Sequence, residues 1–199
     1  MKIIGITGTI GSGKTTTSSI IKNLGYNVFE SDIITKKLYK KNKVKKIIVN
    51  IFGKKINNLK TFRNEINLNL LGNHVFGDKS ELIKLENILH PLIFKEKEKF
   101  IKKNLLKKKD KIFLDIPLLF KSKSYKECDY IINVHVKKSI QKQRVLRRLH
   151  MTEEKFKNIL KHQKLETSKF AKYISISINT GNDKKYVEKT LLNFLDSIR

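Results

Sequence analysis

A glycine-rich loop near the amino terminus constrains this chain more than any other feature. The loop covers residues 8–15 and follows the pattern G-x-x-x-x-G-K-[ST]. An apolar run at 3–6 precedes it and predicts a buried strand, and a helix is predicted over 16–24, ending at Gly25. In this order, strand, loop and helix form a site for the phosphates of a nucleoside triphosphate, because backbone N–H groups and the positive end of the helix face the anion.

Individual side chains of the loop have separate expected roles. Lys14 is expected to reach the β- and γ-phosphates, and the Thr15 hydroxyl is expected to bind Mg²⁺. The sequence therefore predicts a nucleotide bound together with magnesium. The predicted nucleotide-binding residues are Gly8, Thr9, Ile10, Gly11, Ser12, Gly13, Lys14, Thr15 and Thr16.

Length and composition indicate a single domain. The 199 residues are enough to bury a sizeable core. No stretch approaches the roughly 20 apolar residues of a membrane span, and the first residues lack the apolar run of a signal peptide, so a cytoplasmic protein with no membrane partner is predicted. Cys128 is the single cysteine, which excludes an internal disulfide and a multi-cysteine metal site and favours a small, buried or half-buried role in a reducing compartment.

The chain is strongly basic, with a formal net charge of +26. The excess is almost all lysine and is scattered along the whole sequence, which favours solvated lysine faces over a patch built for a polyanion. A true polyanion surface stays open as the alternative, although nucleic acid is not the expected partner. The composition leaves the oligomeric state undetermined.

Arginine is used sparingly, yet three of the five arginines are Arg144, Arg147 and Arg148. A basic helix is predicted from residue 139 to about 150. On it, residues three and four apart share one face, so these side chains could converge on a triphosphate. Arginine gives phosphate oxygens a planar, bidentate contact that lysine cannot give. An ordinary solvated helix surface is the alternative interpretation.

Strands alternate with helices along the chain, which predicts an α/β fold with a doubly wound parallel sheet flanked by helices. The later strands are predicted at 26–29, 111–117, 130–136 and 173–178, with a turn at 179–182. A mostly helical stretch, broken at His90-Pro91, separates the second strand from the third. We interpret 32–104 as a helical insertion that binds substrate, 139–170 as a lid, and the three segments 1–31, 105–138 and 171–199 as the nucleotide-binding core.

Two carboxylates lie at or just after the carboxyl ends of predicted strands, where side chains reach the ligand crevice of such folds. Asp32 is the candidate general base for an attacking hydroxyl, and capping the next helix is an alternative that can coexist with it. Asp115 is the candidate carboxylate for the water shell of Mg²⁺, and a turn role before Pro117 is its alternative. His90 alone is more typical of a structural residue beside a proline.

Several further segments bear on the identity of the chain. In order, they are residues 6–14 of the glycine loop, Leu24-Gly25, Glu30-Ser31-Asp32-Ile33-Ile34, His90-Pro91-Leu92-Ile93, residues 115–120, and Gln143-Arg144 to Arg148 with Thr152-Glu153-Glu154 and Gln163. With these residues in this order and spacing, nearly the whole chain resembles the bacterial dephospho-CoA kinases, which are P-loop kinases. Thr9 is a departure, since the family usually has glycine there.

The resemblance implies an activity and roles for particular residues. Members of the family transfer the γ-phosphate of ATP to the ribose 3′-hydroxyl of dephospho-CoA, so the implied ligands are ATP, Mg²⁺ and dephospho-CoA. Asp32 would be the base, and Lys14, Arg144 and Arg148 would act on the phosphates. The implied substrate-binding residues are Asp32, His90, Pro117 and Leu118, with Thr15 and Asp115 at the metal and the loop 179–182 beside adenine.

Two other functions remain open at this point. One is a P-loop kinase for another small acceptor, such as a nucleoside or nucleotide, and the other is a basic nucleic-acid-binding NTPase. A GTPase switch is disfavoured, because the sequence has no Asn-Lys-x-Asp guanine signature and Asp115 leads into Ile-Pro-Leu where a switch has a glycine three residues on.

Overall fold

The structure, a computed structural model, describes residues 1–149, 151–163 and 167–198. These residues form two compact units. The core unit consists of Met1–Glu30 and the described residues from Ile101 onward, and the helical unit is Ser31–Phe100. In the part of the chain that the structure describes, every helix is too short or too polar to span a membrane.

The core unit is built on a parallel sheet. Its strands are β1 (Lys2–Thr7), β2 (Asn27–Glu30), β3 (Lys111–Asp115), β4 (Tyr130–His135) and β5 (Ile176–Asn179). They pair in the order β2-β3-β1-β4-β5, and all four pairings are parallel. The predicted α/β class with a doubly wound parallel sheet is confirmed.

The α-helices of the described residues flank the sheet or belong to the helical unit. In chain order they are α1 (Lys14–Asn23), α2 (Ser31–Lys40), α3 (Asn42–Phe52), α4 (Leu68–Gly77), α5 (Lys79–Leu106), α6 (Lys138–Leu146), α7 (Glu153–His162), α8 (Thr167–Phe170) and α9 (Lys184–Ser197).

The central strand β1 positions the glycine loop. Ile4 and Ile6 on β1 are fully buried and pack in one cluster with residues of α1 and α9. The neighbours β3 and β4 lie on opposite sides of β1, so the strand order reverses there. Ligands of open α/β sheets bind beyond the carboxyl ends of the strands at such a reversal point. The loop that follows β1 lies at this point.

A second apolar cluster holds the helical unit together. Its buried members come from α2 to α5 and from the segment between α3 and α4. The predicted break at His90-Pro91 is wrong, because α5 continues through Pro91. Proline costs this helix one backbone hydrogen bond. Leu89, Leu92 and Ile93 on both sides of it join the same cluster, and this packing holds the helix together across the proline.

Two predicted boundaries in the core unit also need correction. The basic helix α6 ends at Leu146, before the predicted end near residue 150. Val145 is its last fully buried side chain, whereas Leu149 is 86% exposed and has no core to pack against, so a longer helix would gain nothing. The strand predicted at 173–178 begins only at Ile176, and a 3-10 turn covers Ala171–Tyr173.

A buried carboxylate links three segments of the helical unit. Glu81 on α5 accepts hydrogen bonds from Nζ of Lys55 (2.7 Å) and Nζ of Lys84 (2.8 Å), and its carboxylate lies 3.3 Å from Nε2 of His74 on α4. The hydrogen bonds from Lys55 and then from Lys84 lower the pKa of Glu81 from 4.5 to about 2. Glu81 therefore stays ionised far into the acid range while the protein is folded.

We expect Glu81→Gln to lower Tm by a few degrees at neutral pH, because the amide removes the charge that two lysines neutralise. The folded-state pKa lies below the unfolded one, so the stabilisation is complete above pH 4.5 and disappears as the pH falls towards 2. Thermal unfolding measured at about pH 7 and pH 2.5 should show the difference between wild type and variant shrinking in acid. Glu65→Gln, an exposed position of the same unit, is the control. An equal difference at both pH values would contradict this prediction.

Candidate active site

The loop between β1 and α1 is shaped by glycine. Gly13 precedes α1 with φ 97°, a left-handed conformation that side chains disfavour. A Cβ atom at Gly13 would lie 2.6 Å from Oγ1 of Thr180, so a larger residue would also collide with the loop that follows β5. Since Gly13 has no side chain to cap α1, the first N–H groups of this helix are left for an anion.

Two side chains of the loop fit a phosphate ligand. Oγ of Ser12 is buried and has no hydrogen-bond partner among the described residues. A buried hydroxyl without a partner is costly unless a ligand satisfies it. Lys14 reaches back across the loop, and its Nζ donates to the carbonyl of Gly8 at 2.8 Å. The loop therefore has a hydroxyl, a cation and a helix amino terminus suited to a polyphosphate.

A buried carboxylate lies at the end of the strand next to β1. Asp115 closes β3, and its register partner on β1 is Ile6. Oδ2 of Asp115 accepts a hydrogen bond of 2.7 Å from Oγ of Ser18, which is itself fully buried on α1. Thr15, one turn earlier on α1, is exposed. Hydroxyl and carboxylate oxygens are the hard ligands that Mg²⁺ prefers, so Thr15 and Asp115 have the right chemistry for it.

Arg144 is connected to the glycine loop by hydrogen bonds through one intermediate residue, Thr180. Its Nη1 donates to Oγ1 of Thr180 at 3.0 Å, and its Nη2 donates to the Thr180 carbonyl at 2.7 Å. The Thr180 hydroxyl in turn donates to the carbonyl of Ser12 at 2.6 Å. Thr180 therefore connects the arginine to the loop, and the guanidinium makes the two-pronged contact that lysine could not make.

The remaining predicted residues lie in different surroundings. Asp32 is exposed in the first turn of α2, which begins at Ser31, so it lies within the helix and not before it. His90 is exposed near the middle of α5. Pro117 and Leu118 are half-buried just after Asp115, and the Pro117 carbonyl accepts from Oγ1 of Thr7 at 3.4 Å.

The arginine cluster is only partly as predicted. Arg147 directly follows the last residue of α6, and Arg148 lies one residue further, so the spacing argument for one shared helical face does not apply to them. Both are exposed, whereas Arg144 is half-buried. Of the three, Arg144 has the contacts that link it to the glycine loop among the described residues.

Ser18 and Gln141 were not singled out by the sequence, and Thr180 entered only as part of the loop 179–182 that the resemblance places beside adenine. Each contributes a contact to the loop or to Asp115. Serine, glutamine and threonine are common on surfaces, and no spacing marks Gln141 or Thr180. For Ser18, a usable signal was its position three residues after Thr15, which places both on one side of α1.

Comparison with known proteins agrees with this geometry. Residues 2–184 match the sequence model of the family described as dephospho-CoA kinase. A dephospho-CoA kinase from Bartonella quintana is 32% identical over 198 residues, covering 100% of this chain and 98% of that protein. The solved structure of a dephospho-CoA kinase from Campylobacter jejuni aligns with a TM-score of 0.67 at 25% identity, covering 100% of this chain and 98% of the other.

A crystal structure from Thermus thermophilus shares the fold, with a TM-score of 0.76 at 23% identity over 100% of this chain and 98% of that one. The sequence match extends from β1 to the start of α9 and so includes the glycine loop, Asp115 and Arg144. The resemblance inferred from the sequence motifs is confirmed, and the chain belongs to the dephospho-CoA kinase family.

Proposed function

We propose that this chain catalyses the reaction of its family, the transfer of the γ-phosphate of ATP to the ribose 3′-hydroxyl of dephospho-CoA. The product is coenzyme A, and the reaction is the last step of coenzyme A biosynthesis. The observation that carries the proposal is the buried, unpartnered Ser12 hydroxyl in a glycine loop at the start of α1, in a chain that matches the family over nearly its whole length.

The nucleotide would bind to the glycine loop. The Ser12 hydroxyl, the Lys14 ammonium and backbone N–H groups within residues 8–16 would hold the phosphates, except the N–H groups of Ile10 and Ser12, which donate to Gln163 and to the Thr9 carbonyl. Thr15 and Asp115 would hold Mg²⁺, directly or through its water shell, with Ser18 orienting the carboxylate. When bound, Mg²⁺ neutralises negative charge on the phosphate oxygens.

The acceptor would bind with its 3′-hydroxyl near Asp32. The 3′-oxygen forms a bond to the γ-phosphorus while the bond from that phosphorus to the bridging oxygen breaks, so that ADP leaves. Asp32 takes the proton of the hydroxyl, a role for which an exposed carboxylate in a helical first turn is accessible. The helical insertion over 32–104, with His90, and the pair Pro117 and Leu118 would contact the rest of the substrate.

Arginines would stabilise charge on the transferred phosphate. Arg144 already lies beside the loop through Thr180, and exposed Arg148 would approach from the segment 139–170, which we propose acts as a lid. In this proposal the protein works in the cytoplasm, and the scattered lysines are solvated and do not bind nucleic acid.

ADP release with Mg-ATP, measured with and without dephospho-CoA, tests the function. We expect release that depends on dephospho-CoA, with coenzyme A identified by mass. Adenosine, AMP and single-stranded RNA serve as competing acceptors or activators. Phosphorylation of a nucleoside or nucleotide with dephospho-CoA left unchanged would favour the other small-acceptor kinase. ATP turnover that RNA stimulates and salt abolishes would favour a nucleic-acid-dependent NTPase.

A further inference from the structure

Ile10 of the glycine loop is bound on both sides by glutamine side chains from distant parts of the chain. Its backbone N–H donates to Oε1 of Gln163 at 2.7 Å. Its carbonyl accepts from Nε2 of Gln141 at 2.6 Å, and the same Nε2 lies 2.8 Å from Oγ1 of Thr9. Gln141 belongs to α6, and Gln163 directly follows the last residue of α7. Two helices after β4 are thus attached to one residue of the loop.

The contact with α6 is close as well as polar. Gln141 is 7% exposed and Val145 is fully buried, and both face the loop. At Gly11, with φ 74°, a Cβ atom would lie 2.5 Å from Cγ2 of Val145 and 3.1 Å from the carbonyl oxygen of Gln141. Only glycine allows α6 to approach so closely, so the position of this helix and the path of the loop depend on each other.

Arg144 shares this attachment. It lies three residues after Gln141 and therefore on the same side of α6. The helix reaches the loop at Ile10 through Gln141 and at Ser12 through Arg144 and Thr180. A displacement of α6 would move the arginine and the loop together. Releasing the glutamines would weaken this coupling and leave it to the contact through Thr180 and the packing of Val145 on Gly11.

We infer that Gln141 and Gln163 are positioning residues, which fix the glycine loop to the segment that carries Arg144 and so hold the phosphate-binding groups in one arrangement. They act through the backbone of Ile10, and Gln141 acts also through the Thr9 hydroxyl. The consequence for catalysis rests on the proposed function, whereas the attachment itself does not. A loop without these two contacts would sample other conformations, and phosphoryl transfer would slow because its groups must be aligned when the reaction occurs.

The first measurement is hydrogen exchange of the Ile10 amide by NMR in the protein without nucleotide. We expect Gln163→Met to speed exchange at Ile10 by about tenfold, because methionine fills similar space but accepts no strong hydrogen bond. Gln163→Glu should keep the slow exchange, since its carboxylate still accepts. Gln143→Met is the control, because Gln143 is an exposed glutamine on α6, the helix that carries Gln141. Unchanged exchange at Ile10 in Gln163→Met would overturn the inference.

The second measurement is steady-state kinetics of the same variants and of Gln141→Met, each checked for an unchanged Tm. We expect kcat to fall by about tenfold in Gln141→Met and Gln163→Met, with KM for dephospho-CoA within about twofold of wild type. Gln163→Glu should recover most of the activity, and Gln143→Met should match wild type. Wild-type kinetics in both methionine variants would overturn the inference. A wild-type protein inactive on dephospho-CoA would instead overturn the proposed function, and the exchange experiment would still decide the attachment.

Discussion

Lys14→Ala is expected to abolish phosphoryl transfer, lowering kcat/KM for ATP by at least about a thousandfold. In the structure, Nζ of Lys14 lies 2.8 Å from the Gly8 carbonyl, so the side chain already spans the loop that would hold the phosphates. Alanine removes the ammonium from this position and leaves the loop with hydrogen-bond donors but without its own cation. Loss of a charged group aimed at the transferring phosphate costs several powers of ten in related chemistry.

The measurement is ADP release from Mg-ATP with dephospho-CoA, together with Tm. Lys189→Ala on α9 is the matched control, since Lys189 is exposed on a helix that carries none of the proposed site residues. The control should keep wild-type activity, and both variants should keep a wild-type Tm. If Lys14→Ala retained more than about a tenth of the wild-type activity, the role of Lys14 on the phosphates would be wrong.

The same loop explains why much of the fold could be predicted. A glycine at position 13 with φ 97°, an apolar strand before it and a helix after it are local requirements, and local requirements leave a pattern in consecutive residues. The carboxylate of Asp115 was predicted in the same way, from its place at the end of an apolar strand. The turn after β5 is also local, because the N–H of Gly181 donates to Oδ1 of Asn179.

The contacts that complete the candidate site are not local. Ile10 and Gln163 are 153 residues apart in the sequence, and Ser12 and Thr180 are 168 apart. Gln163 is one of the family motif residues and Thr180 lies in the loop 179–182, but no residue near these two or near Gln141 marks their side chains as partners of the glycine loop. Tertiary packing also overrode a local rule at Pro91, where buried Leu89 before the proline and partly buried Leu92 after it pack in one cluster and keep α5 intact. At α6 the absence of packing had the opposite effect: the helix ends at Leu146, before its predicted end, and Leu149 beyond it is exposed.

Asp32→Asn is expected to lower kcat by about two to four powers of ten while leaving the affinity for ATP nearly unchanged. The amide has the same shape as the carboxylate but cannot take the proton of the attacking hydroxyl. Asp32 is exposed in the first turn of α2, in the helical unit, whereas the glycine loop belongs to the core unit. A change at Asp32 should therefore affect the acceptor side of the reaction and not nucleotide binding.

Two readouts separate this role from a structural one. A carboxylate in a helical first turn also interacts favourably with the helix dipole. If the role of Asp32 were purely structural, Asp32→Asn would lower Tm and leave kcat largely intact. We expect the opposite pattern, with kcat reduced, Tm nearly unchanged, and the Kd for ATP from calorimetry within about twofold of wild type. Asp196→Asn, the same substitution at an exposed position on α9, should be indistinguishable from wild type. If Asp32→Asn kept near-normal turnover, the proton of the 3′-hydroxyl would have to go elsewhere, and the proposed general base would be wrong even if the phosphate-binding loop acted as proposed.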